Sequence, residues 1–372
     1  MKLAILGTRG VPPNYGGFET FAAELGVRLI ARGHDVTVYC REKGPSEWNG
    51  IHRITVPYLP GKYLETVSHT FFSALDALRR RFDAILLCNA ANAFVIPLLR
   101  AARIPVAINV DGIERRRRKW NILGRAVYAM GEAMSVGFAN AVVADAETIA
   151  DYYRTRYGVD PHVIAYGAGF PIEEDSDVLA RLGLTPRNYI LFVSRFEPEN
   201  NPLEVVRAYE ELLSPDQPTN RPTNLPPPLV MLGKGLYAPD LVEELHRHAG
   251  PSILFPGALY GRDYRTLQRN ALLYIQATEV GGTHPALIEA MGSGGAVLAH
   301  GTPENREVGG DAVGYFDLRP AQTLSGMISE WLRNPLQTDE FRARARARAE
   351  ARYSWDQVAD QYDKLIRDIA WT

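Results

Sequence analysis

Short apolar runs alternate with amphipathic stretches along most of this chain. In the first half the runs are Leu3–Leu6, Val36–Tyr39, Ile54–Val56, Ala84–Leu87, Val106–Asn109 and Ala141–Ala144. They are apolar without alternation, the pattern of parallel strands buried on both faces. Between them apolar residues recur at helical spacing. Phe18, Phe21, Ala22, Leu25 and Leu29 mark one face of a helix over Phe18–Ala31. The second half repeats the scheme with strands at Tyr189–Ser194, Leu229–Leu232, Ile253–Phe255, Leu273–Gln276 and Ala296–Ala299, and helices at Glu204–Leu213 and Pro285–Met291. Val358, Tyr362, Leu365 and Ile369 predict a last helix. Strand–helix alternation of this kind implies an α/β protein with parallel sheets and crossover helices.

The turn-rich stretch Tyr166–Asp175 separates the two halves. Six prolines within Ser214–Pro228 exclude a continuing helix and predict a solvated loop. At 372 residues the chain exceeds one typical core, so two domains are expected. A hydrophobic fraction of 46% and a charged fraction of 23% describe an ordinary globular protein. The formal net charge of −2 gives no reason to expect a nucleic-acid partner. Cys40 and Cys88 have neither disulfide-framework nor metal-ligand spacing and are expected to be small buried hydrophobes in a reducing cytosol. Met1-Lys2 leads directly into a strand, so no signal peptide is expected. No apolar run approaches the ~20 residues of a membrane span. A cytoplasmic protein, in peripheral contact with the inner membrane face, is the expected setting.

Two glycine-rich loops carry the candidate chemistry. Glu279-Val-Gly-Gly-Thr-His-Pro-Ala-Leu-Ile-Glu289 runs from a turn into a helix whose first position suits Pro285. The amides of Gly282, Thr283 and His284 are then expected to point out of a helix N-terminus, as an anion site requires. Glu289, one turn further in, can accept from vicinal hydroxyls. Near the start, Gly16 and Gly17 fall at another helix start, where backbone can approach a ligand closely. The fingerprint G-x-G-x-x-G is absent, which argues against a nicotinamide enzyme.

Three segments in order, Gly16-Gly-Phe-Glu-Thr-Phe21, Ser194-Arg-Phe-Glu-Pro-Glu-Asn-Asn201 and Gly281-Gly-Thr-His-Pro-Ala-Leu-Ile-Glu-Ala-Met291, resemble the retaining glycosyltransferases of family 4 over essentially the whole length. They are similar, more narrowly, to bacterial rhamnosyltransferase-like enzymes of surface-polysaccharide biosynthesis. The resemblance implies a GT-B fold, two Rossmann-like domains with parallel sheets facing a central cleft. An acceptor domain over residues 1–170, to which a helix at about 355–372 returns, is expected with a donor domain over 171–354.

What the family implies at each position follows the motifs. Its diphosphate-clamping arginine corresponds to Arg195, and its lysine five positions on is replaced by Asn200. Of its paired glutamates, Glu289 matches the second, a ribose ligand; the position of the first holds Gly281. Glu279, two residues upstream, either substitutes for that sugar-facing carboxylate or is a solvated loop charge. His284 either donates to a phosphate or sugar hydroxyl or is a structural cap. Relatives carry His-Asp where this chain has Val110-Asp111. Asp111 can therefore orient or deprotonate an acceptor hydroxyl, unless it serves only an Asp-Gly turn. The cations Arg115, Arg116, Arg117, Arg118 and Lys119 suit a lipid-linked diphosphate acceptor or an anionic bilayer, or form a solvated helix face.

The expected catalytic residues are thus Asp111, Arg195 and Glu279. Gly16, Gly17, Asn200, Gly282, Thr283, His284 and Glu289 are expected to bind the donor. No cluster is read as a metal site and no cofactor is expected beyond a nucleoside-diphosphate sugar as co-substrate. The implied partners are that donor and a saccharide or polyprenyl-diphosphate-linked acceptor. An epimerase or phosphorylase of similar shape, the latter with a pyridoxal site at Lys234, and a degenerate nucleotide-sugar-binding module are the alternatives.

Overall fold

Strand order places the chemistry in this protein. A computed structural model describes residues 1–14, 16–61, 64–117, 120–169, 175–213, 226–236, 238–318 and 323–371. The middle of the linker (170–174), most of the proline-rich loop (214–225), and Arg118 and Lys119 lie outside these. Contacts divide the chain into two units. The first comprises Met1–Gly167, Gly281–Thr283 and Trp355–Thr372; the second comprises Ala168–Val280 and His284–Ser354.

In chain order the first unit contains β1 (Lys2–Leu6), α1 (Gly17–Ala31), β2 (Asp35–Cys40), β3 (Glu47–Trp48), β4 (Ile51–Thr55), α2 (Glu65–Arg80), β5 (Ala84–Cys88), α3 (Ile96–Ala101), β6 (Val106–Asn109), α4 (Ile122–Phe138), β7 (Ala141–Ala144), α5 (Glu147–Tyr157) and β8 (His162–Val163). Its sheet runs β3-β4-β2-β1-β5-β6-β7-β8, parallel except for the β3–β4 pair. Central β1 pairs with both neighbours, Leu3 with Val36 on one side and Ala84 on the other. Helices on both faces bury it, hence its unbroken apolar run. Successive strands build outward in one direction from β1 and in the other from β5. That reversal is a topological switch point, beside which open α/β sheets bind ligands at the strands' carboxyl ends.

The second unit contains α6 (Val178–Arg181), β9 (Ile190–Val193), α7 (Pro202–Leu212), β10 (Leu229–Leu232), α8 (Pro239–Arg247), β11 (Ile253–Gly257), α9 (Gly261–Asn270), β12 (Leu273–Gln276), α10 (Pro285–Gly292), β13 (Val297–His300), α11 (Pro303–Gly309), β14 (Gly314–Phe316), α12 (Leu324–Arg333) and α13 (Pro335–Arg352). Its sheet order is β11-β10-β9-β12-β13-β14, all parallel, with the switch point between β9 and β12. Phe192, Ile275, Leu298 and Trp331 are among the buried residues of its core.

The last helix, α14 (Trp355–Ala370), belongs to the first unit. Phe21 of α1 is fully buried and meets Tyr362 of α14 edge-on at 5.2 Å and Tyr166 at 5.7 Å. Pairs Arg28–Asp356 and Arg32–Asp360 rim this contact. Exposed pairs of this kind contribute up to about 1 kcal/mol, so the aromatic burial dominates.

Three short strands, β3, β8 and β14, escape the apolar-run pattern, since two or three residues are too few to register a period. The strand expected at Ile54–Val56 begins instead at Ile51, because half-exposed β4 follows the register Thr37 to His52 rather than an apolar run. Both cysteines are buried, and burial raises their thiol pKa values.

Candidate functional site

In the second unit, polar residues collect at the switch point. Beyond β9 come Arg195, Glu197, Glu199, Asn200 and Asn201, the last four buried. The Arg195 side chain stays one-third exposed, its Nη1 3.5 Å from the Glu197 carboxylate. Asn200 donates its side-chain N–H to the Arg195 carbonyl at 2.6 Å. One of its N–H groups thus shapes the loop that carries Arg195. Asn201 donates to the Ala277 carbonyl, and the Glu279 amide donates to the Glu199 carbonyl at 2.9 Å. Arg195 and Glu279 therefore leave adjacent strands on tethered loops. The Glu279 charge acts on His300 at the end of β13, opposing the fall in that imidazole's pKa caused by burial.

Helix α10 begins as its sequence predicts. His284 is its extended N-cap residue and Pro285 its first helical position. The His284 ring, however, is committed: Nδ1 lies 2.8 Å from Asn305 Oδ1. Asn305 is fully buried and donates its N–H groups to the His300 and Thr278 carbonyls, so its oxygen must accept. The hydrogen-bond pattern therefore assigns the neutral ring's proton to Nδ1. Nε2 then becomes a donor only in the imidazolium. Glu289 receives the Tyr264 hydroxyl on Oε2 at 2.6 Å, and Gln268 Nε2 donates to that hydroxyl at 2.7 Å. Burial and the Glu289 charge push the Tyr264 pKa far up, so the phenol remains a donor and fixes the carboxylate's rotamer.

In the first unit, Gly16 is an extended N-cap residue and Gly17 opens α1. Neither needs a left-handed conformation. Glu19, two residues on, is buried and accepts the Arg9 amide at 2.8 Å. Burial raises its pKa, against the pull of that amide and of nearby Arg9 and Arg41. A carboxyl group of the protein's own thus already lies in this helix start, which weakens it as a phosphate cradle.

Asp111 follows β6 in a left-handed conformation, φ 58°, its amide bonded to Asn109 Oδ1. Such a conformation costs a non-glycine residue about 1 kcal/mol. Asn109 is buried and donates to the Tyr362 hydroxyl. The short stretch Gly281–Thr283 packs in this unit on Asp145, the fully buried residue after β7. The Thr283 amide donates to Asp145 Oδ2 at 2.9 Å and its hydroxyl to the Asp145 carbonyl. A Cβ on Gly282 would come within 2.0 Å of Asp145 Oδ1, so any side chain there would have to displace the Asp145 carboxylate. The expectation that Thr283 offers its amide to a ligand is corrected accordingly: the anion on that amide is Asp145.

Two cations of the run, Arg115 and Arg117, are turned inward. Arg117 is buried in an ion pair with Glu114. Arg115 bonds the Tyr152 hydroxyl and lies 3.3 Å from buried Glu132. Arg117 is therefore withdrawn from any membrane or acceptor surface. The sequence also holds one Asp-x-Asp triplet, Asp175-Ser-Asp177. Asp175 is engaged by Arg269 and Asn270, and Asp177 by Arg181. Lys234 is exposed.

Sequence reasoning missed Asp145, Glu19, Tyr264 and Asn305. Asp145 carried a usable signal, a carboxylate directly after an apolar run, which was weighed only for Asp111. The others become visible only when the chain is folded.

Two parallel α/β sheets, each with a switch point, define the GT-B class of fold. Solved structures agree with this. Sucrose-phosphate synthase from Thermosynechococcus elongatus superposes with a TM-score of 0.79 at 18% identity, covering 99% of this chain and 98% of that one. HepE from Anabaena, in complex with UDP-glucose, also gives 0.79 at 18% identity, covering 99% and 100%. WaaG, a glycosyltransferase involved in lipopolysaccharide biosynthesis, gives 0.73 at 15%, covering 99% of each. Residues 15–168 match the profile of Glycosyltransferase Family 4 and residues 179–352 that of Glycosyl transferases group 1. The chain thus carries a Glycosyltransferase Family 4 domain followed by a Glycosyl transferases group 1 domain. A D-inositol 3-phosphate glycosyltransferase from Streptomyces bingchenggensis is 30% identical over 135 residues, 34% of this chain and 30% of that protein's length.

Proposed function

We propose that this protein transfers a sugar, rhamnose or otherwise a hexose, from a nucleoside-diphosphate donor to a hydroxyl of a lipid-linked saccharide, with retention of configuration, in cell-surface polysaccharide biosynthesis. One observation carries the donor side. At the switch point of the second unit, Arg195, Glu279 and the start of α10 lie on adjoining strand ends, with Glu289 held in place by Tyr264. The similarity to HepE, a protein solved with UDP-glucose, supports a nucleotide-sugar donor; that to WaaG supports a surface-glycan role.

In the proposed reaction Glu289 accepts the ribose hydroxyls. Arg195 takes up the charge growing on the leaving diphosphate, helped by amides at the start of α10. Stabilisation placed where charge develops is the main source of rate. Glu279 faces the donor sugar, and Asp111 orients or deprotonates the acceptor hydroxyl. Arg116, Arg118 and Lys119, rather than the inward Arg115 and Arg117, meet the acceptor's diphosphate. The reaction is proposed to need no metal ion.

A degenerate binding module is the second reading, favoured by Asn200 and Gly281 standing where relatives carry a lysine and a glutamate. Donor turnover separates the two. Release of nucleoside diphosphate by wild type, abolished in Glu289→Ala and insensitive to EDTA, is the expected result. Binding without turnover supports the module. Turnover lost with EDTA and restored by a divalent ion contradicts metal independence.

A further inference from the structure

Helix α4 is built inside out. Its buried positions are Gly124, Gly131, Glu132 and Ser135. Beneath it, Glu132 accepts the hydroxyls of Tyr152 and Tyr157 and faces Arg115. Gly131 lets the helix approach the backbone so closely that a Cβ would sit 2.3 Å from the Ala90 carbonyl. Met134 and Val136 pack on the core, but the other large aliphatic side chains and Phe138 point the other way. Ile122 is 88% exposed and Leu123 72%, and Val127, Met130 and Phe138 are exposed too. At ~100° per residue, these five, the small residues between them and half-buried Met134 fill one arc of about 160°. Arg125 is the one charged residue among the exposed positions of α4.

A surface helix normally turns this stripe toward the core. Here the core side is mostly small or polar, with Met134 and Val136 packed on the core, so the exposed part of the apolar arc is left over from folding. Contiguous exposed apolar surface of this kind marks an interaction face. Neighbouring charge decides what it meets. Residues 96–140 carry eight Arg or Lys and three Asp or Glu, in a chain whose net charge is −2. Two of the three acids, Glu114 and Glu132, are buried in ion pairs. Helix α3 packs beside α4 and adds exposed Leu98 and Arg100. Arg115 and Arg117 are spent on those two acids, but Arg100, Arg103 and Arg125 are exposed on or near α4. An apolar stripe beside such cations fits an anionic bilayer, with the helix lying in the interface. Among the described residues no helix is long and apolar enough to cross a membrane.

We propose that the exposed face of α4 docks this protein on anionic lipid by inserting Ile122, Leu123, Val127 and Met130. The inference deepens the lipid-linked acceptor of the proposed function and rests on it for its biological sense, but it is measured without donor or acceptor. The test is co-sedimentation with vesicles of phosphatidylcholine, alone and mixed with phosphatidylglycerol, comparing wild type with Ile122→Glu/Leu123→Glu. Wild type is expected to sediment with the anionic vesicles and less as salt rises. The double variant is expected to lose about tenfold or more in partitioning, with unchanged melting and nucleotide binding. Wild type remaining in the supernatant, or a variant that sediments equally, overturns the proposal. So does a wild-type dimer that the substitutions dissociate while vesicles have no effect; the arc would then be a self-interface. Vesicle binding in a protein that binds no nucleotide sugar would leave the docking intact and remove the donor assignment.

Discussion

On the proposed donor side, single residues are held in place by their partners. Glu289 is aimed by Tyr264, and Tyr264 in turn by Gln268. A hydrogen bond to a charged group contributes about 1.5–3 kcal/mol. Tyr264→Phe is therefore expected to weaken donor binding by about tenfold or more, measured as KM for the donor. A purely structural role would lower melting temperature and leave that KM in place. His69 on α2 makes a separate prediction. Burial, with the nearby Arg41 charge, lowers its pKa to about 4. The folded state thus keeps His69 neutral while the unfolded chain protonates near the usual value of about 6.5. Stability is expected to fall by about 3 kcal/mol as pH drops from 6.5 to 4. Urea melts at several pH values check this, and His69→Gln should flatten that part of the profile.

Legibility at this scale followed chain proximity. Arg195, Glu279 and Glu289 stand out as candidates because motif and strand end coincide in the sequence. Asn200 and Thr283 were read by position alone, yet one is turned onto the Arg195 carbonyl and the other holds Asp145. Nothing local specifies a partner 138 residues away.

Elements were legible where burial is two-sided. The central strands β1, β5, β6, β9, β10 and β12 announce themselves as apolar runs, and α1, α10 and α14 by spacing or capping. Helix α4 was not anticipated as an element in its own right, because its apolar stripe serves no core. Helix α14 is tied to α1 by an aromatic cluster at Phe21. Phe21→Ala is expected to cost about 3–5 kcal/mol, seen as a lower urea midpoint. A cost under about 1 kcal/mol would show that this contact contributes little to the first unit.

At the scale of the whole molecule, two parallel sheets carry two switch points, and the fold follows from strand–helix alternation repeated in each half. The chemistry does not follow from the fold, since many activities share it. It depends on which side chains stand at the strand ends. The most direct test is a thermal-shift series with nucleoside diphosphates and their sugars, on wild type and Glu289→Ala. Ligand at 100 times Kd stabilises the folded state by roughly 2.7 kcal/mol. A selective rise in melting temperature with one nucleotide family, lost in Glu289→Ala while the unliganded variant melts normally, is the predicted result. Wild type that is folded and responds to none of them, or a variant that responds as wild type does, would contradict a donor site at Arg195 and Glu289.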